Sequence, residues 1–206
     1  HGQWSRPDGS SLGNVRFGSK TAEWYQNNVE VPFFNFFLKH KRSIAHSKEA
    51  TSFMTGANEW KSVDQWPPAD SKDEILYLQP GGGLDAAKPT GTNSFSEYTS
   101  DPAKPVPYTE DVHEDRTREY MTDDQRFASR RPDVLVFQST VLSKDITVTG
   151  TVISDLMVSI STTDADFVVK VIDVFPDDFR YNSGKINYPM GGYQMLVRGE
   201  IMRGRY

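Results

Sequence analysis

From about Thr51 onward the chain is written in short β-prone runs with no helical period between them. They cover residues 52–55, 75–79, 93–98, 134–139, 146–151, 154–161, 167–174 and 193–198. Clusters of Gly, Pro, Asp and Asn separate them, such as Pro80-Gly81-Gly82-Gly83 and Pro176-Asp177-Asp178. Residues 146–149 alternate apolar with polar side chains, and 167–174 alternates towards its end. A parallel sheet needs a crossover of a dozen or more residues, usually helical, between successive strands. With no such segments in view, the pattern predicts a mainly β chain, an antiparallel sandwich or jelly roll.

The first fifty residues differ. Residues 1–20 are rich in Gly, Ser, Pro and Asp and read as a loop. Residues 21–42 carry Tyr25, Val29, Phe33, Phe36 and Phe37 at helical spacing, with Thr21 placed as an N-cap. Pro32 predicts a kink, or two short helices, near Glu30 and Val31. The four phenylalanines of residues 31–38 demand a large covering surface. Residues 101–131 are polar and read as a long excursion with little regular structure.

Charge and composition exclude several roles. Over 206 residues the net charge is -5, which gives no electrostatic ground for nucleic acid or an anionic membrane as partner. No apolar run approaches the roughly 18 residues of a membrane span. Cysteine is absent, so there is no disulfide framework, thiol nucleophile or cysteine metal site. The histidines His1, His40, His46 and His113 lack metal-ligand spacing, so neither a metal nor another cofactor is expected. His40 and His46 lie in a basic cluster with Lys39, Lys41, Arg42 and Lys48 at or beyond a helix C-terminus, and His113 lies in an exposed charged run. The acidic groups Asp164, Asp166, Asp173, Asp177 and Asp178 lack calcium-loop spacing and read as turn and strand-end carboxylates. Trp60, Trp66 and Tyr77 suit either a sugar-stacking platform or a core. Gly9-Ser10-Ser11-Leu12-Gly13 matches G-x-S-x-G, but Ser5-Arg6-Pro7-Asp8 before it cannot be a core strand, so Ser11 is not the nucleophile.

Several stretches together carry a resemblance: His1-Gly2-Gln3-Trp4; Val31-Pro32-Phe33-Phe34 with Phe37-Leu38-Lys39; and Thr55-Gly56-Ala57-Asn58-Glu59-Trp60 with Trp66-Pro67-Pro68. Later come Ser100-Asp101-Pro102, Pro105-Val106-Pro107-Tyr108, Met121-Thr122-Asp123-Asp124-Gln125-Arg126-Phe127 and Arg130-Arg131-Pro132-Asp133 running into Val134-Leu135-Val136-Phe137. Thr163-Asp164-Ala165-Asp166 and Arg198-Gly199-Glu200-Ile201-Met202-Arg203-Gly204-Arg205-Tyr206 complete the set. In this order they resemble the X-Pro dipeptidyl-peptidase and cocaine-esterase family, nearest its α-amino acid ester hydrolases and glutaryl 7-aminocephalosporanic acid acylases.

The resemblance implies an α/β-hydrolase domain, a helical cap and a C-terminal jelly roll. It implies acyl transfer by Ser, His and Asp on a small acyl ester or amide, with no cofactor. In α/β-hydrolases the triad follows the chain order Ser, Asp, His. The resemblance therefore makes His1 the general base, with no counterpart here for the nucleophile or the acid. The expected division is 1–50 as the tail of the hydrolase domain and 51–206 as the jelly roll. The sandwich is expected to lack its last strands, leaving edges that exchange between chains could fill. The other reading of the same residues is a stand-alone β-sandwich that binds carbohydrate or a protein partner. The compartment stays open.

Overall fold

The computed structural model describes residues 9–40, 48–91, 94–115, 117–183 and 186–205. The chain divides into two compact units, His1–Ser71 and Lys72–Tyr206.

The first unit opens with a hairpin of β1 (Ser11–Leu12) and β2 (Val15–Arg16), Leu12 opposite Val15. Ser11 thus stands on a two-residue strand entering a turn, not on a strand-to-helix elbow, as its flanks predict. Gly9 (φ 73°) lies against helix α1 (Thr21–Tyr25). A Cβ there would meet the Ala22 nitrogen and the Thr21 Oγ1 at 2.5 Å. This approach corrects the capping expectation. Lys20 occupies the N-cap position without a side-chain bond, and Thr21 is the first helical residue. Its hydroxyl donates to the Gly9 carbonyl instead, at 2.6 Å, with the side chain buried.

A π-helical turn, Gln26–Glu30, joins α1 to α2 (Val31–Lys39). Pro32, near the start of α2, is the physical cause of an interruption. It has no N–H to donate, and in a continuous α-helix its ring would collide with the carbonyl four residues back. The wider turn ends with the Val31 N–H bonded to the Gln26 carbonyl, five residues back, so the helix changes register where a kink is expected. His40 closes α2 in a left-handed conformation (φ 51°), its N–H bonded to Asn35. Lys41, Arg42 and His46 of the basic cluster lie outside the described residues. Val31, Phe33, Phe34, Phe36, Phe37 and Leu38 are all exposed, Phe37 to 56% and Leu38 to 72%.

Strands β3 (Ala50–Met54) and β4 (Glu59–Val63) form the second hairpin of this unit, turning through Gly56 and Asn58 at positive φ. Periodicity misses β4 because Glu59, Lys61 and Ser62 mask its one large apolar residue. That residue, Trp60, faces Phe53 in register. Phe53 meets Phe17 edge-on at 5.6 Å and Trp60 at 5.3 Å, and Trp60 stacks on Trp24 at 4.1 Å and 16°. These four rings, from α1, β3, β4 and the residue after β2, make this unit's apolar cluster.

The second unit is a series of antiparallel pairs. Strands β5 (Tyr77–Gln79) and β6 (Gly83–Asp85) form a hairpin. A 3₁₀ turn (Glu119–Thr122) and α3 (Arg126–Ser129) are the regular pieces of the polar excursion. Strands β7 (Asp164–Val174) and β10 (Gln194–Arg205) make the dominant ladder, from Val174 opposite Gln194 to Asp164 opposite Arg205. Its register shifts between Leu196 and Arg198, leaving Val197 as a bulge. Between these strands lies the hairpin of β8 (Arg180–Ser183) and β9 (Ile186–Pro189). Met190, Tyr193, Leu196 and Ala128 are buried beneath the ladder's start.

The fold is mainly β with few and short helices. The predicted runs 52–55, 167–174 and 193–198 are strands, the last two longer than expected, and 75–79 is a strand in its second half. Runs 94–98, 146–151 and 154–161 form no ladder among the described residues, and 134–139 holds only a parallel bridge from Gln138 to Gly83. The physical reason is that strand propensity measures fit to a pleated, half-buried surface. Ile146, Val148, Met157 and Val158 instead project into solvent, so these runs have the composition of strands without the surface that makes one. Each described sheet has two strands, and none closes.

Candidate functional site

His1, the residue the sequence points to as general base, lies outside the described residues, as do Gly2, Gln3 and Trp4. His113 is exposed, and His40 is exposed at the end of α2. Among the described residues no group of three or more His, Asp or Glu side chains is placed to hold a metal ion.

What the second unit does assemble is a polar clasp built from residues 121–127, one of the stretches that carry the resemblance. Gln125 is 1% exposed and is tied down in three directions. Its backbone N–H donates to the Gln194 carbonyl at 2.8 Å and its Nε2 to the Asp123 carbonyl at 3.0 Å. Its Oε1 accepts from Lys170 Nζ at 2.7 Å, across 45 residues of sequence. Asp124 sits beside it, accepting from the Gln194 N–H at 3.2 Å and from Arg126 Nε at 2.6 Å. The Leu196 N–H donates to the Asp123 carbonyl at 3.3 Å, and the Tyr193 hydroxyl to the Thr122 carbonyl at 3.0 Å. The segment therefore lies along β10 as an extra, side-chain-fastened edge.

Burial sets the electrostatics of the clasp. It pushes Asp123 above the ordinary aspartate range, with the charges of Asp111, Asp124 and Glu119 adding to the rise and His113 opposing it. It pulls Lys170 below the ordinary lysine range. The Lys170 ammonium also stands 5.8 Å from the Phe127 ring centroid, a cation–π distance. Sequence reasoning misses this pair, although a signal exists: Lys170 is the single charge inside the apolar run Val168-Val169-Lys170-Val171-Ile172.

Two other stretches that carry the resemblance are also clamps. Arg131 forms a bidentate pair with Asp133 at 2.8 and 2.7 Å and donates to the Lys104 carbonyl at 3.1 Å. The pairing hydrogen bonds hold Asp133 below the usual carboxylate range. Arg203 on β10 meets Asp164 at 2.7 Å and Asp166 at 3.7 Å on β7, so this acidic pair is a strand-end charge pair, as its spacing suggests. Of the three aromatics named for a sugar platform, Trp60 gives a face to Trp24 and so belongs to the core of the first unit. Trp66 is exposed with its backbone N–H bonded to Glu49, and Tyr77 belongs to the other unit.

Antiparallel strand pairs, a buried glutamine and arginine–aspartate pairs together define a mainly β domain in which these sequence blocks serve packing. Residues 44–204 match the family model described as the X-Pro dipeptidyl-peptidase C-terminal non-catalytic domain. The chain belongs to that family.

Its relatives are hydrolases by name. A cocaine esterase from Rhodococcus sp. (strain MB1 Bresler) is 35% identical over 154 residues, 69% of this chain and 27% of that protein. A solved aminopeptidase from the marine sediment archaeon Thaumarchaeota archaeon is similar across 98% of this chain and 33% of its own, at 33% identity and a TM-score of 0.77. A solved α-amino acid ester hydrolase is similar across 100% of this chain and 34% of its own, at 35% identity and a TM-score of 0.81. The chain thus spans about a third or less of the length of these relatives.

Proposed function

We propose that this chain is the C-terminal part of a serine hydrolase that cleaves acyl esters or amides, with peptide-like or β-lactam side-chain-like substrates. Residues 1–50 belong to its α/β-hydrolase domain and 51–206 to its jelly-roll domain. One observation carries the reading. The non-catalytic family model begins at residue 44, yet similarity to an aminopeptidase and an ester hydrolase extends over 98–100% of the chain, into the segment that holds His1. The exposed phenylalanines of α2 support it, since an apolar helix face of this kind requires a covering domain. The outer edge of β7, and that of β10 beyond the clasp, suit further strands of the same protein or of a second copy.

His1 acts as the general base. It takes the proton of a serine supplied by the preceding part of the protein as that serine attacks the carbonyl carbon. It then returns the proton to the departing alcohol or amine, while an aspartate orients the ring. Water repeats the sequence to release the acid. No cofactor enters.

The 206-residue chain by itself is therefore expected to leave a chromogenic acyl ester unhydrolysed. Turnover by this chain that a fluorophosphonate abolishes overturns the assignment. In the full-length protein, His1→Ala lowers kcat/KM for ester and amide by roughly 10⁴-fold or more while the thermal midpoint stays in place. Undiminished turnover would remove His1 from the mechanism.

A further inference from the structure

We infer that the first unit carries a carbohydrate-binding site, in which Trp24 is the stacking platform and Asn27 and Asn28 grip hydroxyls. The site is an open surface along one helix face, lined by Lys20, Glu23, Trp24, Asn27 and Asn28.

Three observations converge on it. First, Trp24 is fixed before any ligand arrives, because Trp60 stacks on it at 4.1 Å and 16°. A platform already held in one rotamer loses little entropy on binding, and an indole edged by polar groups presents the apolar and polar surface that a pyranose complements. Second, Asn27 and Asn28 follow Trp24 by three and four residues, the spacing that brings side chains onto one helix face, so both amides lie beside that ring. The Asn28 Nδ2 donates to the Trp24 carbonyl at 2.8 Å, which aims its Oδ1 as an acceptor. Asn27 offers both a donor and an acceptor, the combination that vicinal hydroxyls require. Third, Lys20 and Glu23 pair at 3.2 Å, so the surface bears both signs and no net charge. This favours a neutral polyol over an anion or a cation.

The site is open and its contacts few, so binding is weak, on the order of millimolar. Saturation-transfer NMR on the full-length protein, with methyl glucosides, methyl galactosides and maltose as probes, tests the inference. Saturation transfer to the ring protons of one of them is expected. Trp24→Ala should abolish it, but that change also removes a core stack. The deciding variant is Asn27→Ala, at an exposed helical position, which should keep the wild-type melting temperature and weaken binding about tenfold or more. Absence of binding to every probe, or full binding by Asn27→Ala, overturns the site. Binding is read at equilibrium, so either outcome leaves the hydrolase assignment untouched.

Discussion

A neutral amide buried beside a lysine ammonium stabilises a fold only while each satisfies the other. Gln125 and Lys170 meet that condition at 2.7 Å, and each becomes a liability if the other is removed. Gln125→Leu leaves a half-buried ammonium without its acceptor and should cost about 1–3 kcal/mol, read as a lower urea midpoint with an unchanged m-value. Adding Lys170→Met should recover part of that loss, with a coupling of roughly 0.5–3 kcal/mol in the double-mutant cycle. Strict additivity of the two changes would show that the bond carries no energy. Asp123 gives a pH signature. Its folded-state pKa is raised, so its carboxylate costs stability at neutral pH, and that cost is released as pH falls through the folded value towards the ordinary aspartate range near about 4. Asp123→Asn should therefore unfold at higher denaturant at pH 7, the gap narrowing in acid. An equal gap at both pH values contradicts the burial argument. The clasp was hard to read from sequence, because hydrophobic periodicity carries no information about which strand a distant glutamine will cap.

At the scale of elements, what the sequence made legible were the features with a local cause. The π turn ends at Glu30, where the missing N–H of Pro32 predicts an interruption, and residues 167–174, which alternate towards their end, lie within β7. A hydroxyl at the start of a helix has the sequence signature of a cap, but the acceptor of the Thr21 hydroxyl, the Gly9 carbonyl, is twelve residues away. That contact makes a prediction. Gly9 combines φ 73° with a Cβ direction occupied by Ala22 and Thr21, so Gly9→Ala should destabilise the first unit by about 1–3 kcal/mol, measured by thermal or urea unfolding. A neutral effect would mean that the loop does not pack on α1 as described. By contrast, the Arg203 pair with Asp164 and Asp166 is largely exposed, and Arg203→Met should cost less than about 1 kcal/mol despite its good geometry. The runs at 146–151 and 154–161 were legible as β-prone but not as unpaired, since pairing depends on a surface that propensity does not encode.

For the whole molecule, the order of short sequence blocks was more informative than any one of them. Those at 121–127 and 130–133, and Arg203 within the last of them, fasten a β domain, so they bear on packing and reveal no chemistry. The proposal for His1 rests on resemblance alone, because a triad closes in space and a single histidine has no spacing to read. The central claim is that the acyl-accepting serine lies outside residues 1–206 and depends on His1. Fluorophosphonate labelling of the full-length protein, with the adduct mapped by peptide mass spectrometry, tests it directly. The account predicts one modified serine outside residues 1–206, lost in His1→Ala; an adduct on a serine within these residues, such as Ser11, or labelling unchanged by His1→Ala, would contradict it.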